Sequence, residues 1–384
     1  MQTKHAFLGA AVTAGLLLAA SGAAQTTDRH AGGSGVAQPQ YRIIDLGEFG
    51  GELANAHAIN DAGHVVGTAE APNLEALPFL WRDGALTDLG TLLPGRTSGH
   101  GIARGISSNG FVVGYSMAPY PPIPASSISH AFFWSEQSGM IDLTPDSAVM
   151  SIAWDVNSAG QVVGDIAGQS GGAFIWSAQT GIRLIGLPDA PPGYGGYAEG
   201  ISDTGLVCGH QWDADFNYTG WIYNSATGEI RALGHLGMPR SETRGINNAG
   251  DVVGYSRREN FQQRPVLWTQ DGEVVDLGFL PVADFTQGTA NAINDDRWIV
   301  GADTYDGNGV VPKGWLWIAG TKFELRELIA DEAERAEWEE LPTPTGVNNR
   351  GEIVGIGIHN GAQGRAFLMR PLVDTIFSDG FDGE

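Results

Sequence analysis

One ten-residue pattern recurs seven times along the 384-residue chain: "AINDAGHVVG" at 58–67, "GISSNGFVVG" at 105–114, "DVNSAGQVVG" at 155–164, "GISDTGLVCG" at 200–209, "GINNAGDVVG" at 245–254, "AINDDRWIVG" at 292–301 and "GVNNRGEIVG" at 346–355. The closing glycines are separated by 47, 50, 45, 45, 47 and 54 residues. That period is close to the 40–50 residues of a four-stranded propeller blade, a unit that cannot bury its own apolar faces and must stack on its neighbours. Within each copy the Asn or Ser at the third position can bond its own backbone, and a glycine three residues later supplies positive φ, as a tight hairpin turn requires. The sixth copy has Arg297 in that place, which predicts a strained or differently shaped turn that a glycine there should relieve. The paired valines that follow are apolar at successive positions, as a strand covered on both faces needs. Cys208 replaces one of them and is expected to be a buried, inert thiol.

A second signature follows each copy, "PFLW", "AFFW", "AFIW", "GWIY", "PVLW", "GWLW" and "AFLM", ending at Trp81, Trp134, Trp176, Tyr223, Trp268, Trp317 and Met369. A third, "LTDLGTL" at 86–92, recurs as "MIDL", "RLIGL", "IRALG", "VVDLG" and, degenerately, "ELREL". Its last copy, "YRIIDLG" at 41–47, precedes the first decamer, while the seventh unit ends at "AFLMRPL" without one. The two ends therefore complete one sheet, which closes a toroid and removes its loose edge. The expected fold is all-β: a seven-bladed β-propeller of four-stranded antiparallel blades over 41–372, with the N-terminal strand closing the last blade.

The remaining segments are short. Lys4, the apolar run "AFLGAAVTAGLLLAA" and the small residues "SGAAQ" have the layout of a secretory signal peptide over 1–24, cleaved after Ala23 or Ala24. Residues 25–40 read as a flexible linker and 373–384 as a C-terminal tail. No later stretch approaches the roughly 18 apolar residues of a membrane span. The expected location is outside the cell, at its surface or in the periplasm. A single cysteine forms no internal disulfide, and 56 glycines favour turns over long helices. With 44 acidic against 21 basic residues the formal charge is −23, which repels nucleic acid and anionic membranes.

The repeat "AINDAGHVVG…FLW…DLGTL", with "HAFFW" at 130–134, resembles the HAF-family extracellular repeat of bacterial exported proteins over nearly all of residues 41–372. The resemblance implies export and a repeat-built β fold, and it carries no catalytic residues. The terminal "DTIFSDGFDGE" is similar to a short tail of exported proteins of some Gram-negative bacteria.

Residues repeated in every unit are explained by the unit, so a site belongs where the units differ. Asp45, Asp88, Asp142 and Asp276 occupy equivalent places and read as structural hydrogen-bonding groups. The informative variable position lies just before the decamer: His57, Arg104, Trp154, Glu199, Arg244, Asn291 and Thr345. Flanked mostly by small residues, these side chains are expected either to ring a channel mouth and hold an anionic or sugar-like ligand, or merely to fill gaps between units or meet solvent. "DADFN" at 213–217 begins like a calcium loop but lacks the turn glycine and the bidentate Glu, and "DTYDGNGV" at 303–310 lacks ligand spacing, so both read as turns. Residues 329–344 read as a surface helix ended by prolines, with Leu328, Ile329, Ala333 and Ala336 sharing a face. There is no nucleophile elbow, phosphate loop or local His/Cys metal spacing, so neither cofactor nor metal is expected. The favoured function is an exported, non-enzymatic propeller binding carbohydrate or a surface protein. A polysaccharide hydrolase or lyase, needing Glu199 and a second acidic loop residue, and a structural matrix protein are the alternatives.

Overall fold

The computed structural model describes residues 36–372 apart from 94, 96–98, 124–125, 169–170, 188–194, 214, 216, 283 and 306–310. The expected leader, most of the linker and the tail lie outside the described residues, as do parts of the 213–217 and 303–310 loops. No described helix is long and apolar enough to cross a membrane.

The first repeat folds as Ala54–Ile59, Val65–Glu70, Ala76–Arg82 and Ala85–Asp88, paired antiparallel in that order. The decamer is the hairpin between the first two strands, "PFLW" lies on the third and "LTD" on the fourth. The turn glycines at the sixth decamer position, Gly63 to Gly351, have φ from +71° to +87°. Arg297 has φ +59° and closes the same turn, its N–H 3.1 Å from the Asn294 carbonyl where the Gly351 N–H lies 3.0 Å from that of Asn348. The turn is therefore strained but not differently shaped.

First strands of successive repeats contact one another in cyclic order, from Ala54–Ile59 through Gly101–Ile106, Ser151–Val156, Tyr197–Ile201, Ser241–Ile246 and Gln287–Ile293 to Trp338–Val347, which returns to Ala54–Ile59. The sheets thus form a closed ring, a β-propeller. The decamer explains how they cohere. Val65 packs against the preceding sheet, with Val354 and Leu368, while Val66 packs against the following one, with Ala103 and Phe132. Val207 and Cys208 divide in the same way, and the thiol is fully buried with its pKa pushed up by desolvation. Successive apolar residues of one strand point to opposite faces, so one dipeptide feeds two cores.

The third decamer residue has a second role that its turn chemistry does not announce. Asn60, Asn157, Asn247, Asn294 and Asn348 each donate Nδ2 to the backbone carbonyl at the same position of the next repeat, at 3.0–3.1 Å. Asn348 bonds Asn60, and the Asn349 N–H donates to Asp61, so these links run across the join between last and first repeats. The displaced third signature also acts at this join. The strand Tyr41–Asp45 pairs antiparallel with Phe367–Pro371 and completes the sheet holding Trp338–Val347.

Two expectations differ from the structure. The described strands form five four-stranded sheets and one of eight, because the fifth and sixth repeats are joined by one parallel pairing, Gln263 with Gln287. Residues 329–344 do not form one helix: the helix spans only Glu332–Glu337, capped by the Asp331 carboxylate, and buries none of its residues. Trp338 and Leu341 are buried against the sheet, and that burial draws 338–347 into the first strand of the seventh repeat. Pro344 is tolerated there because this strand is a sheet edge.

Candidate functional site

In every repeat the register of the first strand slips at the same place, between Ala56 and Ala58, Ala103 and Gly105, Ala153 and Asp155, Ala198 and Gly200, Thr243 and Gly245, Ala290 and Ala292, and Pro344 and Gly346. The skipped residues are His57, Arg104, Trp154, Glu199, Arg244, Asn291 and Thr345. A β-bulge leaves one residue out of the ladder and re-aims its side chain. All seven line one cavity of about 580 Å³. The closing glycine of the decamer is needed by the neighbouring backbone: a Cβ on Gly114 would collide with the Ile102 carbonyl oxygen, and one on Gly67 with that of Asn55.

The seven side chains do not act alike. Thr345 Oγ1 donates to the Ala56 carbonyl at 3.0 Å and Asn291 Nδ2 to that of Pro344 at 2.8 Å, so these two staple neighbouring repeats. Arg104 lies over the Trp154 ring, 4.9 Å from its centroid, a cation–π arrangement. Trp154 Nε1 is held by Asp165 Oδ1 at 2.6 Å. Arg244 pairs with Glu199 at 3.3 Å and with Glu242 at 2.5 Å, so its charge is answered within the protein. A ligand bridged between Arg104 and Arg244 would have to compete with those carboxylates.

Two other atoms of this lining, on His57 and Arg104, have no such partner. Burial, reinforced by the Arg104 charge, pushes the His57 pKa down to about 3, so the imidazole is neutral at physiological pH. His57 Nε2 and Arg104 Nε are buried without a hydrogen-bond partner. Desolvation also works against the Arg104 charge, opposed by Tyr115. A buried polar atom left unpaired costs about 1–3 kcal/mol, which a ligand supplying the partner would recover.

Two further carboxyls belong to this region. Asp155 lines the cavity; desolvation pushes its pKa up to about 7 although its oxygens accept from the Ile201 and Val156 N–H groups at 3.0 and 2.8 Å. Desolvation, and Glu199 nearby, push Asp165 up to about 6 against the Trp154 hydrogen bond. Asp155 had a sequence signal, since the decamer begins with Ala or Gly in every other copy. Asp165 follows a closing glycine, where the other copies have Thr68, Tyr115, His210, Tyr255, Ala302 and Ile356. That second variable position becomes informative once pairing sets it beside the inner strand. The repeated aspartates remain structural: Asp45, Asp88, Asp142 and Asp276 each accept an N–H two residues on, at 2.8–2.9 Å.

A ring of small sheets around a polar axial cavity defines a β-propeller in which variation between repeats is gathered at one mouth. No family model and no curated protein matches the chain. Solved structures similar to it include TolB from Acinetobacter baumannii (13% identity, 67% of this chain and 63% of that one, TM-score 0.41). SapL1 lectin in complex with alpha methyl fucoside is similar at 12% identity (72% and 96%, TM-score 0.40), and YCF48 bound to D1 peptide at 11% (88% and 97%, TM-score 0.48). The chain spans less than two thirds of the length of that TolB.

Proposed function

We propose that this is an exported, non-enzymatic binding protein, a propeller of seven blades whose axial mouth takes an acidic oligosaccharide. In this reading the eight-stranded sheet is two blades touching at the single Gln263–Gln287 pairing. The observation that carries the ligand reading is the convergence of seven bulged residues on one cavity, with His57 Nε2 and Arg104 Nε left buried and unpartnered there. A sugar carboxylate accepting from Arg104 gains a charge-assisted hydrogen bond, and neutral His57 suits a hydroxyl. The Trp154 face is partly covered by Arg104, so charge pairing outweighs stacking as the source of affinity. Calorimetry with uronic-acid and neutral oligosaccharides tests this. The Arg104→Met variant should lose about tenfold or more in affinity for the acidic ligand, equivalent to about 1.5 kcal/mol, and wild-type binding should weaken with salt. Equal affinity in wild type and variant, or no binding by wild type, refutes the ligand assignment.

A second reading, polysaccharide hydrolysis or lysis, draws on Asp155 and Asp165, whose pKa values near 7 and 6 suit acid–base work. It is the weaker reading because Asp155 is bound to two backbone N–H groups and Asp165 to Trp154, which ties both to the framework.

A further inference from the structure

At the seam between the fourth and fifth repeats, the ligating atoms of Glu199, His210 and Glu242 all lie within 4.8 Å of one another. We propose that these three residues form a binding site for a zinc-type divalent transition-metal ion, for which Arg244 is the resident competitor.

Three strands deliver the donors. Glu199 is the bulged residue of Tyr197–Ile201, His210 sits opposite Tyr197 on Leu206–Trp212, and Glu242 comes from the first strand of the next repeat, Ser241–Ile246. Their side chains are only 9%, 8% and 16% exposed, so the two carboxylates are held largely out of water. Each is oriented by a hydroxyl: Thr243 Oγ1 donates to Glu199 Oε2 at 3.3 Å and Tyr255 OH to Glu242 Oε2 at 2.6 Å. Tyr197 stacks on the His210 ring with centroids 5.0 Å apart, which fixes the plane of the imidazole. Hydrogen bonds and packing behind the ligands are the usual way a metal site is prepared.

The independent sign of a cation site is His210 Nδ1. It is buried without a hydrogen-bond partner, yet it stands 3.5 Å from Glu199 Oε2. That separation is beyond a sound N–H···O bond, and an unprotonated nitrogen there would set a lone pair against a carboxylate. A cation between them satisfies both. Charge points the same way: the one guanidinium that pairs with both carboxylates answers only one of their two charges, and Asp165 stands near Glu199 and His210 as well. A divalent ion neutralises the carboxylates by itself. Arg244 is 41% exposed, so its guanidinium can turn toward the cavity when displaced. Zinc-to-ligand distances of about 2.0–2.2 Å require the donors to close in by roughly an ångström, within reach of glutamate side-chain rotation. One imidazole with two carboxylates suits zinc and its neighbours better than calcium or magnesium, which prefer all-oxygen sets.

The site shares Glu199 with the cavity lining, but none of its three donors supplies the Arg104 and His57 contacts, so the Zn²⁺ and sugar titrations can fail separately. The test is calorimetric titration of the full chain, freed of metal by chelator and dialysis, with Zn²⁺, alongside Co²⁺ absorption spectroscopy. One equivalent of Zn²⁺ should bind, and Co²⁺ should give visible bands of a low-coordinate site. His210→Gln should abolish both while the metal-free melting temperature stays near wild type. Arg244→Met should raise Zn²⁺ affinity at least tenfold, and if that variant is unstable without metal, Zn²⁺ should restore its melting temperature. The proposal is overturned if neither wild type nor Arg244→Met binds Zn²⁺ at millimolar concentration, if one-equivalent binding survives His210→Gln, or if Arg244→Met leaves the affinity unchanged.

Discussion

Replacing Arg297 with glycine separates a local rule from a tertiary contact. By backbone criteria the change should stabilise, since a non-glycine residue at φ +59° costs roughly 1 kcal/mol. The fold opposes that gain. Arg297 Nε and Nη2 donate to Asp251 Oδ2 and Oδ1 at 2.6 and 3.0 Å, and Asp251, in the preceding repeat, is fully buried. Removing one partner of a fully buried pair costs about 3–5 kcal/mol. Here 46% of the arginine side chain is exposed, and the Gln270 N–H and Asn247 Nδ2 still serve the carboxylate, so about 2–3 kcal/mol is the apt figure. Net, Arg297→Gly should destabilise by about 1–2 kcal/mol, read from urea unfolding followed by tryptophan fluorescence at pH 7. The pH dependence is a second check. Burial raises the Asp251 pKa, but the Arg297 hydrogen bonds, with those from Gln270 and Asn247, outweigh it and hold the carboxyl below its ordinary value. A depressed folded pKa contributes stability that is present above the unfolded value, about 3.9, and is lost as pH falls through the folded value. The gap between wild type and variant should therefore be full at pH 7 and close in strong acid. A variant as stable as wild type at pH 7, or a gap that persists unchanged in strong acid, would refute the assignment.

Two other outcomes test the frame of the site. Deleting residues 25–48 removes the strand that completes the last sheet, including buried Tyr41 and Ile43 and the Tyr41 hydroxyl bond to the Gly351 carbonyl, and should cost at least about 3 kcal/mol, seen as a markedly lower melting temperature; an unchanged melt would contradict the pairing. Gly114→Ala sets a methyl against the Ile102 carbonyl beside the bulge that presents Arg104, and should lower stability by about 1–3 kcal/mol, whereas Gly110→Ala, in open space but at φ +80°, should cost only about 1 kcal/mol in the same unfolding assay.

What the chain declares by itself is what repetition makes redundant. Seven decamers state the hairpin, the two-faced strand and the turn glycines, because those demands are local and recur with the period of the sheet. The orphan "YRIIDLG" likewise foretells its pairing with the last sheet, since a missing strand at one end and a spare at the other have one economical solution. Position-specific variation also marked the seven cavity residues, although the reason, a bulge at each, is a property of pairing register that no single strand displays. Three-dimensional contact alone decided how those side chains differ. Asn291 and Thr345 are consumed by neighbouring backbone, while Arg244 is neutralised by two carboxylates, one of them 43 residues before the other in the chain. Residues 338–347 became strand because Trp338 and Leu341 found a sheet to cover, a tertiary gain larger than local helix preference. Asp251 and Arg297 lie in decamers of successive repeats, and Glu199, His210 and Glu242 come from three strands, so no single stretch of chain displays either set. Sequence separation hides such partners, because the interaction depends on distance in space, and only closing the ring sets that distance.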